Sequence, residues 1–128
     1  MKALDARRAA TEAKAVSSSR PATAIVHDSP DARVVVFRIA PGQAVAPHRN
    51  SSTVILTVLA GHGVVTGGDD RRVVSAGEVI AYEPNELHGM SAVDAELVLL
   101  ATITPRPGDR SAAVSLARAA DATSRGDS

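Results

Sequence analysis

The chain has 128 residues, enough for one domain with a core of its own. Lys and Arg number 14, and Asp and Glu also number 14, so no net charge points to a phosphate backbone or an anionic membrane as partner. Aromatics make up 2% and cysteine is absent, which removes base-stacking platforms, disulfides and thiolate chemistry and leaves the core to Val, Leu, Ile and Ala.

Lys2 to Val16 is rich in Ala, Arg and Glu and predicts a helix with a thin apolar face of Ala3, Ala10 and Val16. Short helices are marginal alone, so it needs something to dock against. Met1 to Val16 lacks the apolar stretch of a secretory signal. No apolar run approaches the ~20 residues of a membrane helix. The expected location is the cytoplasm, with neither membrane nor nucleic acid as partner. Ser17-Ser18-Ser19-Arg20-Pro21 breaks the helical pattern and starts a linker.

From Ala22 the period becomes that of strands. Thr23–His27 is a short strand, Asp28-Ser29-Pro30-Asp31 a turn, and Arg33–Ala40 a β-branched run ended by Pro41-Gly42. Ser52–Leu59 follows, closed by Ala60-Gly61. Val64–Thr66 leads into Gly67-Gly68-Asp69-Asp70, a hairpin signal. Arg71–Val74, Glu78–Tyr82, Leu87–Met90 and Glu96–Thr104 complete the series. Pro105 to Gly108 ends it, and Arg110–Ala122 predicts a second helix with Asp109 as its N-cap. Short strands at this spacing fit an immunoglobulin-like sandwich, a jelly roll or a barrel equally well.

Two glycine-spaced frames narrow the choice. In the first, Gly42 is followed after five residues by His48, then Asn50, Val54 and Gly61. In the second, Gly77 is followed after five residues by Glu83-Pro84-Asn85, then His88. These frames resemble the two motifs of the cupin superfamily, in the manner of small, bacterial, single-domain Cupin_2-like proteins. The resemblance covers about Ala32 to Thr104. It implies an all-β fold, a double-stranded β-helix or jelly-roll barrel, with short N- and C-terminal helices. The chain then divides into a helix and linker (1–21), the barrel (22–108), and a C-terminal helix with a frayed tail (109–128).

In the family two histidines, a glutamate and a last histidine hold a metal. Here Asn50 stands for the second histidine and Val54 for the glutamate. The resemblance thus implies a reduced site in which His48 and His88, with Asn50 as an oxygen donor, hold a divalent transition metal (Fe, Mn, Ni or Zn) or no metal at all. Glu86 and His62 are candidates for a third strong ligand, at positions the family does not use. Asn85 replaces a turn glycine, and Asn is the residue that best tolerates positive φ after Gly. Glu83 replaces a proline at a cost in local rigidity only.

Side chains alternate along a strand, so His48, Asn50, Ser52, Val54, Leu56 and Val58 share one face if the chain there is extended. Polar residues cluster at the His48 end, giving a pocket with a polar mouth and an apolar floor. Its expected lining is His48, Asn50, Val54, Leu56, His88 and Met90. Glu86 is the candidate catalytic acid or base. Arg49 points outward by alternation. Arg71-Arg72, His27 and His62 read as solvent-facing. No phosphate loop, nucleophile elbow or zinc-finger spacing is present.

Two functions fit these residues. One is a binding module that holds a small molecule (a carboxylic acid, sugar or phenol), and Val54 favours it by removing an anionic ligand. The other is a metal-dependent enzyme of the dioxygenase, isomerase or decarboxylase type. Either is expected to be a homodimer, paired through the Thr23–His27 edge and the N-terminal helix.

Overall fold

The β-branched runs form strands as their pattern requires, and the strands close on each other. The structure, a computed structural model, describes residues 1–106. The helix expected over Arg110–Ala122, with its cap at Asp109, lies outside the described residues. Among the described residues one helix, α1 (Ala6–Glu12), precedes eight strands. These are β1 (Ala22–Asp28), β2 (Arg33–Ile39), β3 (Ala44–His48), β4 (Thr53–Gly67), β5 (Asp70–Ser75), β6 (Val79–Tyr82), β7 (His88–Ser91) and β8 (Leu97–Thr104).

All the pairings are antiparallel, and β4 belongs to two sheets. Its first half pairs with β6 and β8, extending β1-β2-β8-β4-β6. Its second half pairs with β5 and β7, extending β3-β7-β4-β5. The sequence predicts two strands here, separated by a turn at Ala60-Gly61. The structure has one long strand with a bulge between Val58 and Ala60 and positive φ at Gly61. A Cβ on Gly61 would collide with the carbonyl oxygen of Glu96, so only glycine fits where the strand passes from one sheet to the other. This bent strand is what folds the sheets face to face into a jelly roll.

Along β4 the side chains of Val54, Leu56 and Val58 are buried, and the residues between them are half-exposed. They join Phe37, Ile39, Met90, Leu97, Leu99 and Ile103 in one interior cluster. The turn glycines Gly42 and Gly77 have positive φ, as does Asn85 at 67°. Asn85 therefore supplies the backbone shape of the glycine it replaces. Strand β3 has no counterpart among the runs read from the sequence, because Pro47 and the charged Arg49 mask its alternation.

The N-terminal helix is shorter than expected. Asp5 caps it by accepting from the Arg8 N–H at 3.1 Å. At the other end Arg38 of β2 donates to the carbonyls of Ala10 (3.0 Å) and Ala13 (2.8 Å). Those carbonyls are satisfied without another turn, so the helix stops at Glu12. Ala10 packs with Val36 and Val98 on the outer face of the first sheet, the docking that a thin apolar face requires.

Candidate functional site

His48 ends β3 and His88 begins β7, and the two are direct cross-strand partners. Their rings lie 4.4 Å apart between centroids, tilted by 57°. Each imidazole is tethered in the same way. Nδ1 of His48 donates to the Ala46 carbonyl at 3.1 Å, and Nδ1 of His88 donates to the Glu86 carbonyl at 2.9 Å. A carbonyl only accepts, so the proton of each neutral ring sits on Nδ1 and the lone pair on Nε2. Both Nε2 atoms are buried and have no partner among the described residues.

Asn50 joins them. It is 5% exposed, and its Oδ1 accepts from the Ser52 N–H at 2.9 Å. That contact sets the amide's orientation and leaves Nδ2 as a buried donor without a partner among the described residues. The backbone holds this arrangement through Asn85. Its N–H donates to the Asn50 carbonyl at 2.7 Å, and its carbonyl accepts from the Arg49 guanidinium at 2.8 Å. The loop after β3 and the turn before β7 are thus tied together, which sets His88 against His48.

Burial lowers the pKa of both histidines. For His48 the bond to Ala46 opposes the shift and the nearby His88 adds to it. For His88 the bond to Glu86 and the charge of its carboxylate oppose it. Both rings are therefore neutral at neutral pH. Tyr82 stacks on His88, with centroids 4.6 Å apart, and its hydroxyl donates to the Thr66 carbonyl at 2.9 Å. Burial, then the Glu86 charge, pushes the Tyr82 pKa up to about 12, so it is no acid or base near neutrality. The expected lining omits Tyr82. Its one signal in the sequence is that the chain's single tyrosine directly precedes the Glu83-Pro84-Asn85 turn.

Val54 and Leu56 are buried with Met90 in the interior cluster. Val54 pairs across strands with Tyr82, which places it at the histidine end. Glu86 has a different environment. Its Oε1 accepts from the Glu83 N–H at 3.0 Å and so braces the turn. With Asp70, Arg71, Arg72 and Tyr82 it lines an open cavity of about 180 Å³ over β4, β5 and β6. His62 is exposed and paired with Asp94 at 2.9 Å. His27 is half-buried beside a register shift in β1.

A resident transition metal needs three or four strong protein ligands. Among the described residues no group of three or more His, Asp or Glu is placed to hold one. His48 and His88 offer two lone pairs, Asn50 offers an N–H donor, and Val54 offers nothing. This donor set does not fit a firmly held metal.

A jelly roll with paired histidines on adjoining strands defines a small β-barrel protein with a polar site at one end. The Cupin_2 family, described as a cupin domain, matches residues 35–103, more than half of the chain, and the protein belongs to that family. No curated protein sequence matches it. TT1209 from Thermus thermophilus superposes with a TM-score of 0.74 at 23% identity, over 84% of this chain and all of that one. An RmlC-like cupin protein from Desulfovibrio desulfuricans gives 0.69 at 28% identity, over 82% and 97%. The DMSP lyase DddQ from Ruegeria pomeroyi gives 0.66 at 15% identity, over 77% and 55%, a likeness of fold alone. Among the described residues no helix is long and apolar enough to cross a membrane.

Proposed function

We propose that this cupin binds a small organic molecule at the histidine end of its barrel, without a resident metal. One observation carries the reading: Nε2 of His48 and Nε2 of His88, on rings 4.4 Å apart between centroids, and Nδ2 of Asn50, two residues after His48, are buried polar atoms without partners among the described residues. Leaving a buried polar group unsatisfied costs about 1–3 kcal/mol, so such a cluster is destabilising until something enters to pair with it. Val54, Leu56 and Met90 are buried apolar residues of the adjoining core. The protein acts in the cytoplasm as a sensor, carrier or accessory of a small-molecule pathway.

The test joins metal analysis to ligand screening. Untagged protein, His48→Ala and His88→Ala are assayed by inductively coupled plasma mass spectrometry after reconstitution with Fe, Mn, Ni and Zn. A fragment library is then screened by NMR. The expected result is substoichiometric metal in all three proteins and fragment binding that His48→Ala removes. Near-stoichiometric metal in the wild type alone would overturn the metal-free reading. It would favour the second one, a metal-dependent enzyme in which His48 and His88 are two ligands and Glu86 the candidate acid or base. The observation on that side is the pair of free Nε2 lone pairs.

Homodimerisation belongs to the same proposal. Strand β1 is an edge, and Ile25 on it is exposed. Sedimentation should give a dimer that Ile25→Lys weakens, and a wild-type monomer would remove the idea.

A further inference from the structure

We infer that the site takes a neutral molecule bearing two adjacent hydroxyls on an apolar skeleton, a vicinal diol or catechol, in preference to a carboxylate or phosphate. The inference rests on the proposal that the histidine end is a ligand site, and it follows from the polarity of the three unpartnered atoms. With Nδ1 of each ring bound to a backbone carbonyl, both Nε2 atoms are acceptors. With Oδ1 of Asn50 bound to the Ser52 N–H, its Nδ2 is a donor. The complement is two donors and one acceptor. A hydroxyl both donates and accepts, so two neighbouring hydroxyls carry the donors and the acceptor that this set of atoms calls for. The rings are 4.4 Å apart between centroids, close enough for donors on neighbouring atoms of one ligand to serve both.

An anion offers the wrong pattern. A carboxylate carries only acceptors and would set them against two lone pairs. No carboxylate is bonded to either Nε2 among the described residues, and the Glu86 carboxylate acts on His88 only through its charge, against the larger effect of burial. The neighbouring guanidinium, Arg49, is exposed and donates to the Asn85 carbonyl. The apolar core beside the site decides the skeleton. Val54, Leu56 and Met90 are buried and apolar, so further hydroxyls, as on a sugar, would find no partner there. A water molecule also brings two donors and an acceptor, and is the competitor that a ligand must displace.

The experiment uses the full chain in EDTA at pH 7.5 under anaerobic conditions. Three probes of similar size are compared: catechol, 1,2-dimethoxybenzene (the same skeleton without donors) and benzoate. Imidazole ¹⁵N spectra report the tautomers, and calorimetry reports affinity. The expected result has both free histidines protonated on Nδ1, catechol binding at least about tenfold tighter than either other probe, and both Nε2 resonances shifting with it. His48→Leu should abolish the preference. If that variant does not fold, the wild-type Nε2 shifts decide. Benzoate binding as tightly as catechol, protonated Nε2 atoms, or a preference that survives His48→Leu would each overturn the diol while leaving a ligand site possible. If no probe and no library fragment binds, the ligand site itself is overturned.

Discussion

The two ends of the barrel interior are built on opposite terms. At one end Ile39, Leu97, Leu99 and Val58 fill the space with side chains that ask only for contact. At the other, His48, Asn50 and His88 lie among Val54 and Tyr82 with three polar atoms lacking partners among the described residues. Both ends are buried, and only one is complete. Packing at the first end stabilises the fold, and the second end tolerates unmet hydrogen bonds that such packing can offset. Unpartnered polar atoms, more than burial or residue type, distinguish the second end from the first.

The largest expected effect comes from making the incomplete end anionic. Val54→Glu buries a carboxylate beside two neutral imidazoles and should cost about 4 kcal/mol in urea denaturation with EDTA. It also supplies the missing third ligand, so Zn or Ni should restore much of that loss. A wild type that gains as much stability from the same metals would show that the carboxylate was never the missing part. Next is the complete end, where Leu97→Ala should cost about 3 kcal/mol while leaving ligand affinity unchanged. Loss of binding in that variant would mean that the two ends are not separable.

Acid provides a graded test. Both histidines have lowered pKa values in the fold, against an ordinary value of 6.5. The unfolded chain therefore takes up protons first as pH falls. Stability is full above 6.5 and is lost between 6.5 and the lowered folded values, by up to about 1.4 kcal/mol per pH unit for each histidine. The double variant His48→Leu, His88→Leu should flatten that slope. A slope that persists would place the titrating groups elsewhere.

At pH 7.5, His48→Leu alone should change stability by less than about 1 kcal/mol, because it removes an unsatisfied acceptor together with its bond to Ala46. A loss of several kcal/mol would make His48 a structural residue. The smallest effect belongs to the turn that joins the two motifs. Asn85→Ala should cost about 1 kcal/mol at its φ of 67°, whereas Asn85→Gly should be nearly neutral. If both cost the same, the Asn85 side chain, and not its backbone shape, holds the turn.

Much of the barrel is legible because its strands obey simple rules. β-branched runs such as Arg33–Ile39 form strands, and glycines at 42 and 77 interrupt them where the chain must turn. Strand β4 reads as two because a glycine signals a turn and a bulge alike, and only the Glu96 carbonyl packed against Gly61 separates the cases. The length of α1 is overestimated for a related reason, since Arg38, far along the chain, takes the carbonyls that would otherwise extend it. At the site, the spacing names His48, Asn50 and His88, and the cross-strand register brings the two histidines together. The stacked Tyr82 carries no periodic signal.

What the sequence determined by itself was the family, the inward face of β4 and the identity of the polar residues at its end. Those follow from residue types at fixed spacings. Polarity was decided only in three dimensions. Which ring nitrogen holds a proton, and which atom of Asn50 remains unpaired, depends on the Ala46 and Glu86 carbonyls and on the Ser52 N–H. A side chain's type states what it can donate or accept, and only its neighbours settle which of those capacities remain free.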